Sequence, residues 1–227
     1  MGQIQQRLDN VRERIRQAER QCSRQAGDVR LIAVSKTKPA AMIREAAEAG
    51  QQDFGESYLQ EALAKQEELA DLELCWHFIG PIQSNKTRPI AEHFDWVHSV
   101  DRVKIARRLA NQRPAQCGDL NVCLQVNIDQ ESTKSGFAPG EVAEGLEEIA
   151  ALPGLRVRGL MAIPRRRDNP AGQREAFARV RELLEAANER GHQLDTLSMG
   201  MSHDLEAAVA EGATMIRVGT AIFGARE

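Results

Sequence analysis

Residues 29–57 read VRLIAVSKTKPAAMIREAAEAGQQDFGES and contain one complete strand–helix–strand unit. The unit begins with a short apolar run rich in β-branched residues, which is typical of a buried strand. Pro39 then opens a helix that reaches about Ala49, and Gly50 ends it. The segment QDFGES predicts a second short strand. This order predicts two parallel strands joined by a right-handed helical crossover.

The same alternation of strand and helix continues along the 227-residue chain. Further strands are predicted in the segments CWHFIG, DWVHSV, NVCLQVNI, LRVRGLMAI, DTLSMG and TMIRVGTAIFG. Together these units fit a compact α/β fold, a (β/α)8 TIM barrel that forms a single domain over residues 1–227. An amphipathic helix within residues 1–27 is expected to pack on the barrel. A doubly wound open sheet is the alternative fold.

Composition and charge narrow the class of protein. A formal net charge of −3, with 42% apolar and 28% charged residues, gives no electrostatic reason to expect nucleic acid or an anionic membrane as a partner. The N-terminal segment lacks the apolar core of a signal peptide, and no apolar run approaches the length of a membrane span. We therefore expect a cytoplasmic protein without a metal site. The cysteines are predicted to be free thiols, as expected in the cytoplasm, because they show neither CxxC nor zinc-type spacing. They are Cys22, Cys75, Cys117 and Cys123.

Polar residues follow the apolar part of most predicted strands. In a TIM barrel the active site is built from the C-terminal ends of the strands. We therefore expect these residues to converge on one mouth of the barrel, and their agreement in position is stronger evidence for a site than any single residue. They are Ser35-Lys36, Glu56-Ser57, His77, His98-Ser99, Asn127, Met161, Ser198 and the group Arg217, Gly219 and Thr220.

Lys36 directly follows the first predicted strand. A lysine in this position would be partly desolvated, and desolvation favours the neutral amine. A neutral amine is the nucleophile that forms a Schiff base with an aldehyde. A lysine that extends from the mouth into solvent explains the same position equally well. Position alone therefore leaves both interpretations open.

The loops after the last two predicted strands have the features of a phosphate site. Gly200 allows close approach of the backbone, and Ser202 is predicted to cap the helix that follows. Gly219 and Thr220 come directly after the final strand. Barrels often bind phosphate at the loops after strands 7 and 8, where the N–H groups of a helix N-terminus face the ligand. A plain helix cap and a turn glycine are the alternative interpretation.

Arg217 and His77 are polar residues within otherwise apolar strands. If Val218 points toward the helices, Arg217 points into the barrel, because successive strand residues face opposite sides. A buried arginine needs an acceptor, and a pyridine nitrogen would serve. A structural salt bridge with Glu56 or another acid is the alternative. His77 is either a ligand contact or a core histidine whose hydrogen bonds are satisfied within the protein.

Several longer motifs occur together and in order along the chain. They are AVSKTKP, FGESYLQE, WHFIGPIQSNK, VHSVDR, VNIDQESTKSGF, GLMAIP and LSMGMSHDLEAAVAEGATMIRVGTAIFGAR. This set closely resembles the pyridoxal 5′-phosphate (PLP) homeostasis protein family, also called proline-synthetase co-transcribed proteins. The resemblance runs from about Val29 to Arg226. It implies a barrel like the N-terminal domain of alanine racemase and of other fold-type III PLP enzymes.

The resemblance also implies a role for each motif residue. Lys36 matches the lysine that holds PLP covalently as a Schiff base, and Arg217 matches the residue that faces the pyridine nitrogen. One position departs from the family, which usually has asparagine in FGENY where this sequence has Ser57. Serine is shorter and lacks the amide donor, so a direct contact from Ser57 to PLP is in doubt. The other implied cofactor-binding residues are His77, Met161, Ser198, Gly200, Ser202, Gly219 and Thr220.

Two features argue against an enzyme. Alanine racemase-like enzymes resemble this barrel but add a C-terminal β-domain and a catalytic tyrosine, whereas the only tyrosine here is Tyr58, at the start of a predicted helix. An Arg217 that leaves the pyridine nitrogen unprotonated would make PLP a poorer electron sink. The resemblance thus implies a monomeric, non-enzymatic protein that buffers PLP or delivers it to apo-enzymes, affecting amino-acid and keto-acid balance. A PLP-dependent racemase-like enzyme is the alternative, and a phosphate-binding barrel enzyme without PLP is a third hypothesis.

Overall fold

A computed structural model describes residues 2–225, and within them eight strands form one closed parallel barrel. Each strand pairs with the next in chain order, and the last pairs with the first from Arg30 and Met215 onward. The predicted TIM barrel is confirmed, and the open sheet is wrong. The strands are β1 (Arg30–Val34), β2 (Asp53–Glu56), β3 (Cys75–Phe78), β4 (Trp96–Val100), β5 (Leu120–Val126), β6 (Leu155–Ala162), β7 (Thr196–Ser198) and β8 (Met215–Val218).

Helices join the strands on the outside of the barrel, as parallel pairing requires. None of the helices within residues 2–225 is both long enough and apolar enough to cross a membrane. They are α1 (Gln3–Gln21), α2 (Ala40–Glu48), α3 (Leu59–Glu68), α4 (Thr87–His93), α5 (Val103–Gln112), α6 (Val142–Ala150), α7 (Pro170–Glu189), α8 (Leu205–Ala210) and α9 (Thr220–Phe223).

Apolar side chains form two separate cores, because strand residues alternate between the two faces of the sheet. The main core lies between the strands and the helices and includes Phe54, Val97 and Leu160. Burial of one large apolar side chain contributes about 1.5–3 kcal/mol, so this layer supplies most of the stability. A second, small cluster forms apart from it and consists of Ile32, Trp96, Cys123, Met161 and Met215.

The N-terminal helix α1 packs against α2, α8 and α9 on the outside of the barrel. Its apolar residues recur every three or four positions, from Ile4 to Ala18, and they are buried. Arg14 holds the helix in place through Glu206, at 2.8 Å. The predicted amphipathic helix within residues 1–27 therefore exists and buries its apolar face.

Strand β4 is irregular near its C-terminal end. Val97 pairs with Val122, whereas Val100 pairs with Leu124, so β4 has one residue more than β5 between these pairs. Such a bulge changes the direction of the side chains within it. His98 lies in this stretch and is fully buried. The bulge thus brings a buried imidazole into the polar part of the barrel.

Candidate functional site

The ten residues predicted to surround a cofactor lie in or just after six of the eight strands. Because the strands are parallel, these positions all belong to the C-terminal half of the barrel or to its mouth. His77 and Met161 are buried within strands β3 and β6, and Thr220 is exposed at the rim. Ser57 follows β2 at the mouth and is half-buried. The remaining six are Lys36, Ser198, Gly200, Ser202, Arg217 and Gly219.

Lys36 is half-buried in a tight turn that follows β1. The next residue, Thr37, has φ +65°, which is a rare backbone conformation for a β-branched residue. The Thr37 N–H donates to the Glu61 carboxylate at 2.5 Å. On the other side of Lys36, the buried Lys65 ammonium donates to the carbonyl oxygen of Ser35 at 2.9 Å. Two side chains of α3 therefore fix the backbone on both sides of Lys36.

A buried ionic cluster supports this turn. Glu56 is fully buried and accepts hydrogen bonds from the Ser35 hydroxyl at 2.7 Å and from Lys65 at 2.8 Å. Lys65 also contacts Glu61. Burial raises the pKa of Glu56, and the hydrogen bond from Lys65 opposes that rise. Sequence reasoning did not identify Lys65, because a lysine in the middle of an exposed-looking helix gives no signal of burial.

Arg217 is buried at the C-terminal end of β8 and points into the barrel, as the alternation of strand residues predicted. Its guanidinium donates to the Ser198 hydroxyl at 2.6 Å and to the carbonyl oxygen of Ala162 at 3.1 Å. Burial lowers the pKa of Arg217 to about 10, so it remains a cation at neutral pH. Within residues 2–225 no carboxylate forms a salt bridge with it. The alternative of a salt bridge to Glu56 is wrong, because Glu56 pairs with Lys65.

His77 belongs to a line of polar groups inside the barrel. Its Nε2 lies 2.9 Å from Asp53 Oδ1, and its Nδ1 lies 2.9 Å from His98 Nε2. His98 Nδ1 is in turn 2.7 Å from the Ser198 hydroxyl, which contacts Arg217. Burial lowers the pKa of His77 and lowers that of His98 well below the usual value. Both imidazoles are therefore neutral at neutral pH, and His77 contacts other protein groups on both ring nitrogens.

Asp53 and His98 were missed by the sequence analysis as members of this line. Asp53 was predicted only as part of the short strand QDFGES, whereas His98 was noted only as one of several polar residues near strand ends. The signal that could have found His98 is the period of two along a strand, which puts it on the same face of β4 as Trp96 of the inner cluster.

Asp53, Cys75 and His77 form a group whose ligand-type atoms all lie within 4.8 Å of one another. These are residue types that bind zinc, and the spacing of the cysteines did not predict the group. Two observations weaken its affinity for a cation. The Arg30 guanidinium lies 3.4 Å from Asp53 Oδ1. Burial also raises the pKa of the Cys75 thiol far above its usual range, and a thiol binds metal only after it loses its proton.

The loop after β7 is built around Gly200, which has φ +95°. A Cβ atom there would lie 2.5 Å from Ala208 Cβ and 2.7 Å from Ile216 Cδ1, so only glycine fits. The prediction that Ser202 caps the next helix is wrong, because α8 begins at Leu205. Residues before it form a turn that the Asp204 carboxylate closes by accepting from the Met201 N–H at 2.6 Å.

Gly219 brings the end of β8 close to the end of β1. A Cβ atom at Gly219 would lie 3.1 Å from the carbonyl oxygen of Val34, two residues before Lys36. Gly219 also precedes α9, and its carbonyl accepts the N–H groups of Ile222 and Phe223, each at 2.9 Å. The turn that contains Gly219 therefore lies beside the turn that contains Lys36.

On the opposite side of the same mouth lies a cavity of about 240 Å³. Lys134 borders this cavity and donates to the carbonyl oxygen of Ile163 at 3.1 Å, while it also pairs with Glu131 at 2.7 Å. The Lys134 ammonium is thus held by its own loops. Other residues of the lining come from the ends of β3, β4 and β5 and include Ile79, Ser99, Asp101 and Asn127.

Comparisons with known proteins agree with the motif resemblance. Residues 6–227 match the family model described as alanine racemase, N-terminal domain. A pyridoxal phosphate homeostasis protein from Pseudomonas aeruginosa is 62% identical over 227 residues, which cover 100% of this chain and 97% of the relative. The structure of PipY from Synechococcus elongatus PCC7942 with PLP bound is similar with a TM-score of 0.85 and 42% identity, over 97% of this chain and 100% of PipY.

A more distant similarity concerns the fold alone. Alanine racemase from Clostridium difficile 630 gives a TM-score of 0.73 at 14% identity, over 96% of this chain and 57% of the racemase. The alanine racemase thus shares the barrel fold, whereas the relative of 62% identity is named a pyridoxal phosphate homeostasis protein.

Proposed function

The chain belongs to the family of pyridoxal phosphate homeostasis proteins, and from this membership we propose that it binds PLP at the C-terminal mouth of its barrel and takes part in intracellular PLP homeostasis. The observation that carries the proposal is the half-buried Lys36, held in a fixed turn beside the glycine backbone at the end of β8. An amine and a phosphate-binding backbone at adjacent strand ends match the two ends of a phosphorylated aldehyde.

The residues at the mouth fit PLP in three respects. The half-buried Lys36 supplies the primary amine that forms a Schiff base with an aldehyde. The backbone at Gly219 packs so closely on β1 that an added Cβ atom would lie 3.1 Å from the Val34 carbonyl oxygen, which brings the turn after β8 next to the Lys36 turn. Arg217 is a buried cation without a carboxylate partner within residues 2–225, so its charge can face a ring nitrogen.

Each residue then has a part in holding the cofactor. Lys36 binds it covalently, and the loops after β7 and β8 bind its phosphate. Arg217 faces the pyridine nitrogen. His77 lies behind the site, because its two ring nitrogens contact Asp53 and His98. The other residues assigned to binding the phosphate or surrounding the ring are Ser57, Met161, Ser198, Gly200, Ser202, Gly219 and Thr220.

We propose that the protein holds PLP without catalysing a reaction on it. Bound PLP supplies an electron sink for amino-acid chemistry, but that sink is strongest when the pyridine nitrogen is protonated. Arg217 has no acceptor atom and keeps its own proton at neutral pH, so it favours an unprotonated nitrogen. Tyr58 is the only tyrosine of the sequence and is 50% exposed ahead of α3. A tyrosine so placed in solvent is poorly suited to serve as an acid or base over the cofactor.

The proposed role is to buffer PLP or to deliver it to PLP-dependent apo-enzymes, and thereby to affect amino-acid and keto-acid balance. The protein is expected to act in the cytoplasm as a monomer. Names of the close relatives support this role, and the PLP-bound structure of PipY supports the cofactor.

Absorbance tests cofactor binding. PLP added to the purified protein should give a Schiff-base band at about 420 nm. The variant Lys36→Ala should lose this band. Lys38→Ala is the matched lysine control and should keep it, because the Lys38 ammonium donates to the carbonyl oxygen of Ala225 at the rim. A band that persists in Lys36→Ala, or that is absent from the native protein, would contradict the proposal.

A racemase-like activity is the alternative, and the shared barrel with alanine racemase favours it. Exchange of the α-proton of alanine or serine in D2O separates the two. The carrier role predicts exchange at the rate of free PLP at equal concentration. Exchange well above that rate, lost in Lys36→Ala, would establish an enzyme instead.

A further inference from the structure

A line of hydrogen bonds crosses the barrel from Asp53, at the N-terminal end of β2, to Arg217, at the C-terminal end of β8. We propose that Asp53, His77 and His98 are positioning residues, which fix the direction of the Arg217 guanidinium and thereby the strength with which the barrel holds PLP. The proposal rests on the proposed function, since it assumes that Arg217 faces the cofactor.

The contacts along the line are short and continuous. The distances are 2.9 Å from Asp53 to His77, 2.9 Å from His77 to His98 and 2.7 Å from His98 to Ser198. The last step, from Arg217 to Ser198, is 2.6 Å. None of the four distances exceeds 2.9 Å, so no link is broken.

The charged ends determine where every proton lies. The pKa of Asp53 is lowered by hydrogen bonding to His77 although burial opposes this, so the ionised carboxylate can only accept and His77 Nε2 must carry a proton. A neutral imidazole has one N–H group, so His77 Nδ1 accepts from His98 Nε2. His98 Nδ1 then accepts from the Ser198 hydroxyl. The oxygen of Ser198 is left to accept from Arg217, which can only donate.

All four hydrogen bonds therefore point from the guanidinium toward the carboxylate. The reverse direction is not available, because an ionised carboxylate has no proton to give and a guanidinium has no lone pair to accept with. The two histidines are held as the Nε2–H tautomer, and Ser198 always presents its oxygen to Arg217. The Asp53 carboxylate at the N-terminal end of the barrel thus fixes the direction of the hydrogen bond between Ser198 and Arg217 at the C-terminal end.

Packing keeps this line free from competing water. His77, His98 and Ser198 are all fully buried. The His77 ring stacks on Trp96 with a centroid distance of 5.7 Å, and the Arg158 guanidinium lies 4.8 Å from the Trp96 ring. Charged and titratable groups around the Asp53 end are Arg30, Cys75 and Asp95, and those near the Arg217 end are Cys123 and Asp204.

The variant Asp53→Asn tests the proposal, because an amide can donate as well as accept and so no longer enforces one tautomer of His77. The control is Asp195→Asn. Asp195 is likewise a carboxylate at the N-terminal end of a strand, directly before β7, and it pairs with Arg158 at 2.7 Å, but it is outside the line. Long-range ¹⁵N–¹H spectra of the PLP-free, EDTA-treated proteins report the tautomers, and titration with PLP reports the dissociation constant.

The native protein and Asp195→Asn should show His77 and His98 as the Nε2–H tautomer and should bind PLP with the same dissociation constant within about twofold. Asp53→Asn should show a mixture of tautomers and a dissociation constant raised about tenfold, as expected for loss of a hydrogen bond to a charged group. If Asp53→Asn fails to fold, Ser198→Ala takes its place: both histidines should keep the Nε2–H tautomer that Asp53 enforces, while the dissociation constant for PLP rises because the link between His98 and Arg217 is lost.

Unchanged PLP binding in both Asp53→Asn and Ser198→Ala would overturn the positioning role, as would native histidines with the proton on Nδ1. Failure of the native protein to bind PLP would instead contradict the proposed function, while the tautomers would still report on the line itself.

Discussion

Lys65 and Glu56 form a buried ion pair directly beneath the turn that carries Lys36. Lys65 is only 4% exposed and Glu56 is fully buried. Removal of one partner from such a pair leaves an uncompensated charge in a medium of low dielectric constant, which is costly. Since both side chains also hold the carbonyl and hydroxyl groups of Ser35, this pair links the stability of the barrel to the geometry of the candidate site.

We predict that Lys65→Met lowers the free energy of unfolding by about 3–5 kcal/mol in urea denaturation, because Glu56 is left buried and unpaired. The double variant Lys65→Met/Glu56→Gln should recover much of the loss. As a control, Arg44→Met breaks the solvent-exposed pair with Asp71 and should leave the free energy of unfolding almost unchanged. A double variant no more stable than Lys65→Met alone would contradict the assignment.

The location of a single residue was predictable where its place in or after a strand determines which side or end of the barrel it occupies. Lys36 after β1 and Arg217 within β8 were both placed correctly by that argument. The partners were not predictable, because a partner depends on the register between strands far apart in the chain. Arg217 was paired with Glu56 as an alternative, whereas its contact is Ser198 on the neighbouring strand, and Glu56 is held by a lysine of α3.

Strands and helices were predicted closely where apolar periodicity is strong. The run at Arg30–Val34 and the crossover helix Ala40–Glu48 both lie within the predicted segments. The start of α8 was wrong because Ser202 has the chemistry of a helix cap, while the Asp204 carboxylate closes the preceding turn instead. Local capping rules cannot choose between two such candidates without the path of the chain, which Gly200 determines here.

We predict that Gly200→Ala lowers the free energy of unfolding by about 3 kcal/mol, since the added methyl group meets both Ala208 and Ile216 and the backbone is left-handed. Gly191→Ala is the matched control. Gly191 has φ +98° but no atom within 4 Å of an added Cβ, so it should cost only about 1 kcal/mol. Equal losses in the two variants, measured by thermal or urea unfolding, would show that the contacts at Gly200 are unimportant.

The whole barrel is expected to lose stability in mild acid because it buries two neutral histidines. The pKa values of His77 and His98 are lowered in the folded state, so below about pH 6.5 the unfolded chain binds protons that the folded chain does not. The free energy of unfolding should therefore fall by about 1.4 kcal/mol per pH unit for each histidine, until the pH reaches its folded pKa. The raised pKa of Glu56 acts in the opposite direction as the pH falls toward its folded value.

The slope of this pH dependence should be smaller in His98→Gln than in the native protein between about pH 6.5 and 5.5. His93→Gln, at an exposed position at the end of α4, should leave the slope unchanged. Urea denaturation at a series of pH values measures it. A slope in His98→Gln equal to that of the native protein would mean that folding does not lower the pKa of His98.

For the whole molecule, strand–helix alternation predicted parallel strands and the edge of the sheet at which polar residues meet, but it left a closed barrel and an open sheet both possible. The line of groups from Asp53 to Arg217 was not predictable, since its five residues lie on five different strands and meet only across the barrel interior.

The covalent attachment of PLP to Lys36 is the central claim, and borohydride reduction of the PLP-loaded protein followed by peptide mapping tests it most directly. We predict one pyridoxyl group on the peptide that contains Lys36, and none on the same peptide of Lys36→Ala. Label spread over surface lysines such as Lys38 and Lys134, or no label at all, would contradict the account.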